Sequence, residues 1–163
     1  MTYPTATAAD QFKLNFYNAI QSQLGTDPTF NGTNDEAVLV TYGLPGNFAP
    51  NDIVSFMGLQ SSQIPATIGP RRSREETLTV EIVISVVRAG GPEMELVAAQ
   101  RAYAILRSIE TYARVTDTTI GGSVLWCFLT QHQSDGHTDP QLAEQNRCIE
   151  ITARFDARAR ITS

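Results

Sequence analysis

Charge is scarce in this chain, and lysine is scarcer still. Charged residues make up 18% of the 163, and Lys13 is the sole lysine. Globular domains usually carry about 25%, so the surface must expose uncharged area that partners can cover. Residues 1–70 hold one lysine against five acids, and residues 71–163 hold eleven arginines against twelve, for a net charge of −5. Binding driven by phosphate neutralisation needs a basic patch. Nucleic acid is therefore not expected as a held ligand.

Cysteine is as sparse. Cys127 and Cys148 lie in apolar, strand-like runs, where free cysteine behaves as a small hydrophobe. A disulfide between them requires adjacent strands, and two cysteines make no secreted framework. The segment MTYPTATAADQF has no basic region followed by an apolar stretch, so no signal peptide is expected. No apolar run approaches 18 residues, so no membrane span is expected either. Cytoplasmic synthesis is the implied setting.

Chemical motifs are missing too. There is no G-x-S-x-G elbow, no Walker loop and no dinucleotide fingerprint. His132, Asp135, His137 and Asp139 are metal-capable, but their spacing matches no zinc or calcium pattern. A solvated polar turn is the plainer reading. A Cys127 nucleophile with His132 as base is weaker: five residues apart on one strand, the two should face opposite ways, and no cation is at hand to favour a thiolate. No cofactor and no catalysis are expected.

What the chain does have is periodicity. Phe12, Phe16, Ile20 and Leu24 mark a first helix, with Thr7 or Asp10 as cap and Gly25 as its stop. Residues 1–7 read as a loose lead-in. Two short strands follow, Ala37–Tyr42 and Ile53–Leu59. Gln60–Arg74 reads as a loop or arm. Thr77–Val87 alternates cleanly and, at ~3.3 Å per residue, spans about 36 Å. After Gly90-Gly91-Pro92 comes an amphipathic helix bearing Leu96, Ala99, Tyr103, Leu106, Ile109 and Ala113, with Arg101 on the wet side. Gly121-Gly122 turns into SVLWCFLTQ, apolar on both faces and so expected to be central. Gln131–Gln145 reads as a second polar loop, and Arg147–Ile161 as a last alternating strand. The order predicts one α+β domain over 1–163, with about five strands in a mixed or antiparallel sheet and both helices on one face.

Two charged clusters stand out as candidate subunit or partner contacts. One is Arg71, Arg72, Arg74, Glu75 and Glu76 at the base of the long strand. The other is Arg154, Asp156, Arg158 and Arg160 on the last. A solvated strand surface is the plainer reading of either cluster. Arg154 and its neighbours can also pair with Glu81 across the sheet.

In the order of its elements and in local texture, the chain resembles the tail terminator proteins of long-tailed, non-contractile phages. The features that carry the resemblance are RRSREETLTVEIVISVVRAG, the helix AAQRAYAILRSIETYAR, the turn VTDTTIGGSVLWC and the last alternating strand. The N-terminal helix and the strands after it also fit. Related neck, tail-completion and tail-tube proteins share much of this pattern. The resemblance implies a homohexameric ring in the virion neck, assembled in the host cytoplasm. Such a ring caps the tail tube, stops its polymerisation and offers a joining surface to the head-side connector or stopper. DNA passes through only as cargo, and an acidic chain suits that role. A small metal-dependent enzyme or ligand-binding domain is the alternative from another class.

Overall fold

The computed structural model describes residues 3–32, 37–46, 50–66 and 73–162. Arg71 and Arg72, candidate contacts from the sequence, lie outside the described residues. In chain order the elements are α1 (Ala9–Thr26), β1 (Val38–Tyr42), β2 (Asp52–Pro65), β3 (Arg74–Ala89), α2 (Glu93–Thr111), β4 (Trp126–Ser134) and β5 (Asn146–Ile161). The last turn of α2 passes into a π-helical turn, Tyr112–Thr116. The strands form one open sheet in the order β1-β2-β3-β5-β4. β1 and β2 are parallel, and every other pair is antiparallel. The fold is the expected α+β arrangement.

β3 and β5 are the spine. They pair without interruption from Arg74↔Ile161 to Ala89↔Asn146. Sixteen residues at ~3.3 Å each make strands of about 53 Å. Their alternation has a single cause: one face is covered and the other is not. Leu78, Val80, Ile82, Ile84 and Val86 of β3 join Ile149, Ile151, Ala153, Phe155, Ala157 and Ala159 of β5 in the core. α1 lies over β1 and β2, and α2 over β3 and β5. Phe16 of α1 sits edge-on to Phe56 at 5.4 Å and Phe155 at 5.3 Å, locking the helix across the sheet. Gln23 Nε2 donates to Ser108 Oγ at 2.6 Å and ties the helices side by side.

Several local expectations fail for physical reasons. α1 runs through Gly25 and stops at Asp27, whose extended backbone ends it. The lead-in is anchored: Thr162 N–H donates to the Pro4 carbonyl at 3.0 Å. Leu96 of α2 is exposed, and the buried stripe is Ala98, Ala102, Ile105, Leu106 and Ile109. Gly90 does what the turn needs. Its φ is +133°, and a Cβ there would come within 2.6 Å of Met94 Cγ.

Two larger corrections bear on function. Gln60–Pro65 is no loop: it continues β2 against β3, and Ala66 N–H donates to the Ser73 carbonyl at 2.9 Å. The two described ends of the supposed arm are therefore a sheet extension, and residues 67–72 of it lie outside the described residues. β4 is not central but an edge: among the described residues it pairs with β5 alone.

Candidate functional site

The residues singled out by sequence fall into different environments. Glu76 is fully buried, at 0% exposure, on the helix side of β3. Its carboxylate accepts from Thr7 Oγ1, from Ala8 N–H at 2.7 Å, from Ser61 Oγ at 2.5 Å and from Gln63 Nε2 at 3.2 Å. Asp10 does not cap α1, whereas Thr7 Oγ1 accepts from the Ala9 N–H at the helix start at 3.2 Å. Glu76 reaches the same helix end from β3 and supplies negative charge there. Burial pushes its carboxyl upward, but the four hydrogen bonds outweigh burial and hold it below the usual carboxylate value. Glu76 is thus an internal clasp and not part of a contact patch.

Glu75, Arg154, Asp156, Arg158 and Arg160 lie on or near the face that no helix covers. Glu75 pairs with Arg158, and Glu81 with Arg154 at 3.5 Å. Thr79 Oγ1 donates to Asp156 at 2.7 Å. Arg160 stands opposite Glu75 and is exposed. Arg74 is exposed on the helix side, where Nη1 donates to Gln63 Oε1 at 3.2 Å. Across-sheet pairing of Arg154 with Glu81 was one of the sequence-derived alternatives, and it is the one seen. These exposed pairs add little stability. They leave the bare face mixed in sign and without a basic stripe.

Trp126 and Phe128 of β4 open onto the same face, stacked at 5.3 Å between ring centres. Their β5 neighbours are Arg158 and Asp156. At the opposite side, Leu44 and Pro45 roof a groove of about 290 Å³ with Ile53, Ser55, Met57, Val83, Ser85 and Glu150. It is shallow and mostly apolar, with Glu150 as its charged group.

The candidate chemistry does not come together. Thr130 forms a bulge, so Cys127 and His132 stand opposite Ala157 and Ala153, on one face of the sheet. This overturns the period-2 expectation, but four β5 residues, about 13 Å, still separate them. Burial pushes the Cys127 thiol far up, with Asp156 adding to the shift. His132 packs edge-on to Tyr103 at 5.9 Å, while His137 Nδ1 meets the Asp135 carbonyl at 2.8 Å. Among the described residues, no group of three metal-capable side chains converges. Cys127 and Cys148 are on neighbouring strands but nine residues apart in register, and both are free.

The 131–145 segment is less of a loop than expected. Gln131–Ser134 belongs to β4. Beyond it, Thr138 is buried, its Oγ1 donating to Glu95 at 2.9 Å and accepting from Cys148 N–H at 2.9 Å. The segment is pinned to the start of α2.

Sequence reasoning missed one buried site altogether. Asp52 is 0% exposed, gripped by Arg88 Nη1 at 2.5 Å and Nη2 at 3.2 Å, and by Arg101 Nε at 2.8 Å. Arg101 also donates to the Thr29 carbonyl at 2.6 Å and lies over the Phe30 ring. Far from facing water, it stitches α2 to β2 and to the turn after α1. A lone acid at the start of a predicted apolar strand was the available signal.

No protein-family model and no curated protein matches the chain. Among the described residues, no helix is long and apolar enough to cross a membrane.

Proposed function

We propose that the protein is a virion structural protein of a long-tailed, non-contractile phage. It caps the tail tube, ends tail polymerisation and provides the head-side joining surface. It acts by contact and not by catalysis. Its partners are further copies of itself in a homohexameric ring, the tail tube protein and the head-side connector or stopper. DNA passes the ring as cargo, and no cofactor is needed.

The observation that carries this reading is a sheet with one helix-free face and little charge along its margins. The arrangement agrees with the element order behind the phage resemblance. The net charge of −5 suits a lumen through which DNA slides without sticking. The buried Cys127 and the dispersed histidines give the enzyme alternative no constellation to work with.

The test is tube length. The tail tube protein of the same phage is polymerised with and without this protein and imaged by negative stain. Capped tubes of limited length, with a ring at one end, are expected. Unlimited tubes formed by this chain alone would instead assign it to the tube. Tubes unaffected by its presence would sink the proposal.

A further inference from the structure

Besides β1 at the end of the strand order, two stretches of this sheet have an unpaired outer edge among the described residues. β1 covers β2 only from Asp52 to Phe56. Beyond that, Leu59–Pro65 is bonded to β3 on one side, and among the described residues no strand pairs with the other. β4 is likewise bonded only to β5. Natural edges are usually blunted by lysine, other charges or covering loops. Here Leu59–Pro65 and Trp126–Ser134 contain no charged residue apart from the titratable His132. Pro65 and the Thr130 bulge limit the two stretches without shielding them.

We infer that the outer edge of β2 at Leu59–Ile64 pairs with the outer edge of β4 at Trp126–Leu129 in a second copy of this chain, head to tail. Three observations carry this. First, the free stretches stand at one level of the sheet. Trp126 is joined through Arg158 and Thr77 to Ser62, and Phe128 through Asp156 and Thr79 to Gln60. Second, the alternation of strand directions makes β4 antiparallel to β2. A neighbour rotated about an axis along the strands therefore presents β2 antiparallel to β4, the stronger pairing. Third, β4 reads as a central strand, apolar on both faces, yet is an edge in the single chain. Phe128 is 41% exposed and Ile64 61%, both on the bare face. Edge pairing gives β4 a second neighbour and brings apolar side chains from the two copies to one surface. The contact joins two different patches, so it propagates, and closes where the rotation allows.

The inference deepens the proposed self-assembly and rests on that reading for its biological setting, but its test needs no tail. Mass is measured by light scattering up to about 1 mM for wild type, Ser62→Lys, Phe128→Lys and an equal mixture of the variants, with circular dichroism to confirm folding. Wild type should reach a multiple of 17.8 kDa, and each variant alone should lose mass. The mixture should stop at the dimer, since each variant keeps one sound edge. Hydrogen exchange on wild type is the second measurement: residues 59–64 and 126–129 should gain protection together as concentration rises. A persistent monomer, protection at one stretch alone, or variants of unchanged mass would overturn the inference. Edge-dependent assembly without tube capping would sink the cap instead. Capping by variants of unchanged mass would sink only the edge pairing.

Discussion

Among the described residues two carboxylates are sealed into this fold, and they are held in opposite ways. Asp52, at the start of β2, is neutralised by two guanidinium groups. Glu76, near the start of β3, has no cation within salt-bridge range among the described residues and is held by two hydroxyls, a side-chain amide and a backbone N–H. The first joins β2, α2 and the end of β3. The second joins the paired ends of β2 and β3, a hairpin of Gln60–Pro65 against Arg74–Thr79, to the start of α1. One end of the sheet is thus secured by charge and the other by dipoles, and the two should fail differently.

The largest effect is expected at Asp52. Asp52→Ala leaves Arg88 and Arg101 facing each other with their counter-charge gone, which costs about 3–5 kcal/mol. Urea unfolding measures it, and a loss below about 1 kcal/mol would mean that the arginines find other partners. Glu76→Ala removes a helix cap and strands several buried donors, for about 2 kcal/mol. Hydrogen exchange should show that loss first at α1 and the hairpin, and a uniform loss would contradict the clasp.

Acid tests the Glu76 clasp directly. The folded Glu76 carboxyl lies below its unfolded value of about 4.3. Its contribution is therefore complete above that value and is lost as pH falls through the folded one. Thermal melts from pH 7 to pH 3 should show wild type and Glu76→Gln converging as the pH drops. A constant gap would assign the wild-type advantage to shape and not to charge.

The smallest effect is expected at Lys13. Its ammonium donates to the Met57 carbonyl at 2.6 Å and lies 4.2 Å from the centre of the Tyr42 ring. Burial lowers its pKa. Lys13→Met should cost about 1 kcal/mol, read as a small shift in the urea midpoint. No shift would mean that water replaces the ammonium at the carbonyl.

The spine was legible in the sequence because one open face leaves a period of two in both β3 and β5. The hairpin was not. Gln60, Ser61, Ser62 and Gln63 have the composition of a loop, and only β3 alongside makes them a strand. β4 misled in the other direction, since apolar residues on two faces do not reveal how many neighbours a strand has. Glu76 stood out as one charge in a run, but its burial depends on α1, far away in sequence. Asp52 lies one residue before the expected strand Ile53–Leu59, and its burial depends on Arg88 and Arg101, far away in sequence. The charged pairs of β3 and β5 were foreseeable, because opposite residues on long antiparallel strands must meet once the register is set.

The bulges have a mechanical consequence. Met57 and Gly58 together stand opposite the single residue Glu81, one residue in excess, and Thr130 is an extra residue beside Arg154. Glu81 and Arg154 are direct partners, so both irregularities fall in one row. A ladder bends most easily where its bonding is interrupted. The bulged strands β2 and β4 therefore bend and twist more sharply at this row, on either side of a β3–β5 ladder that runs through it unbroken.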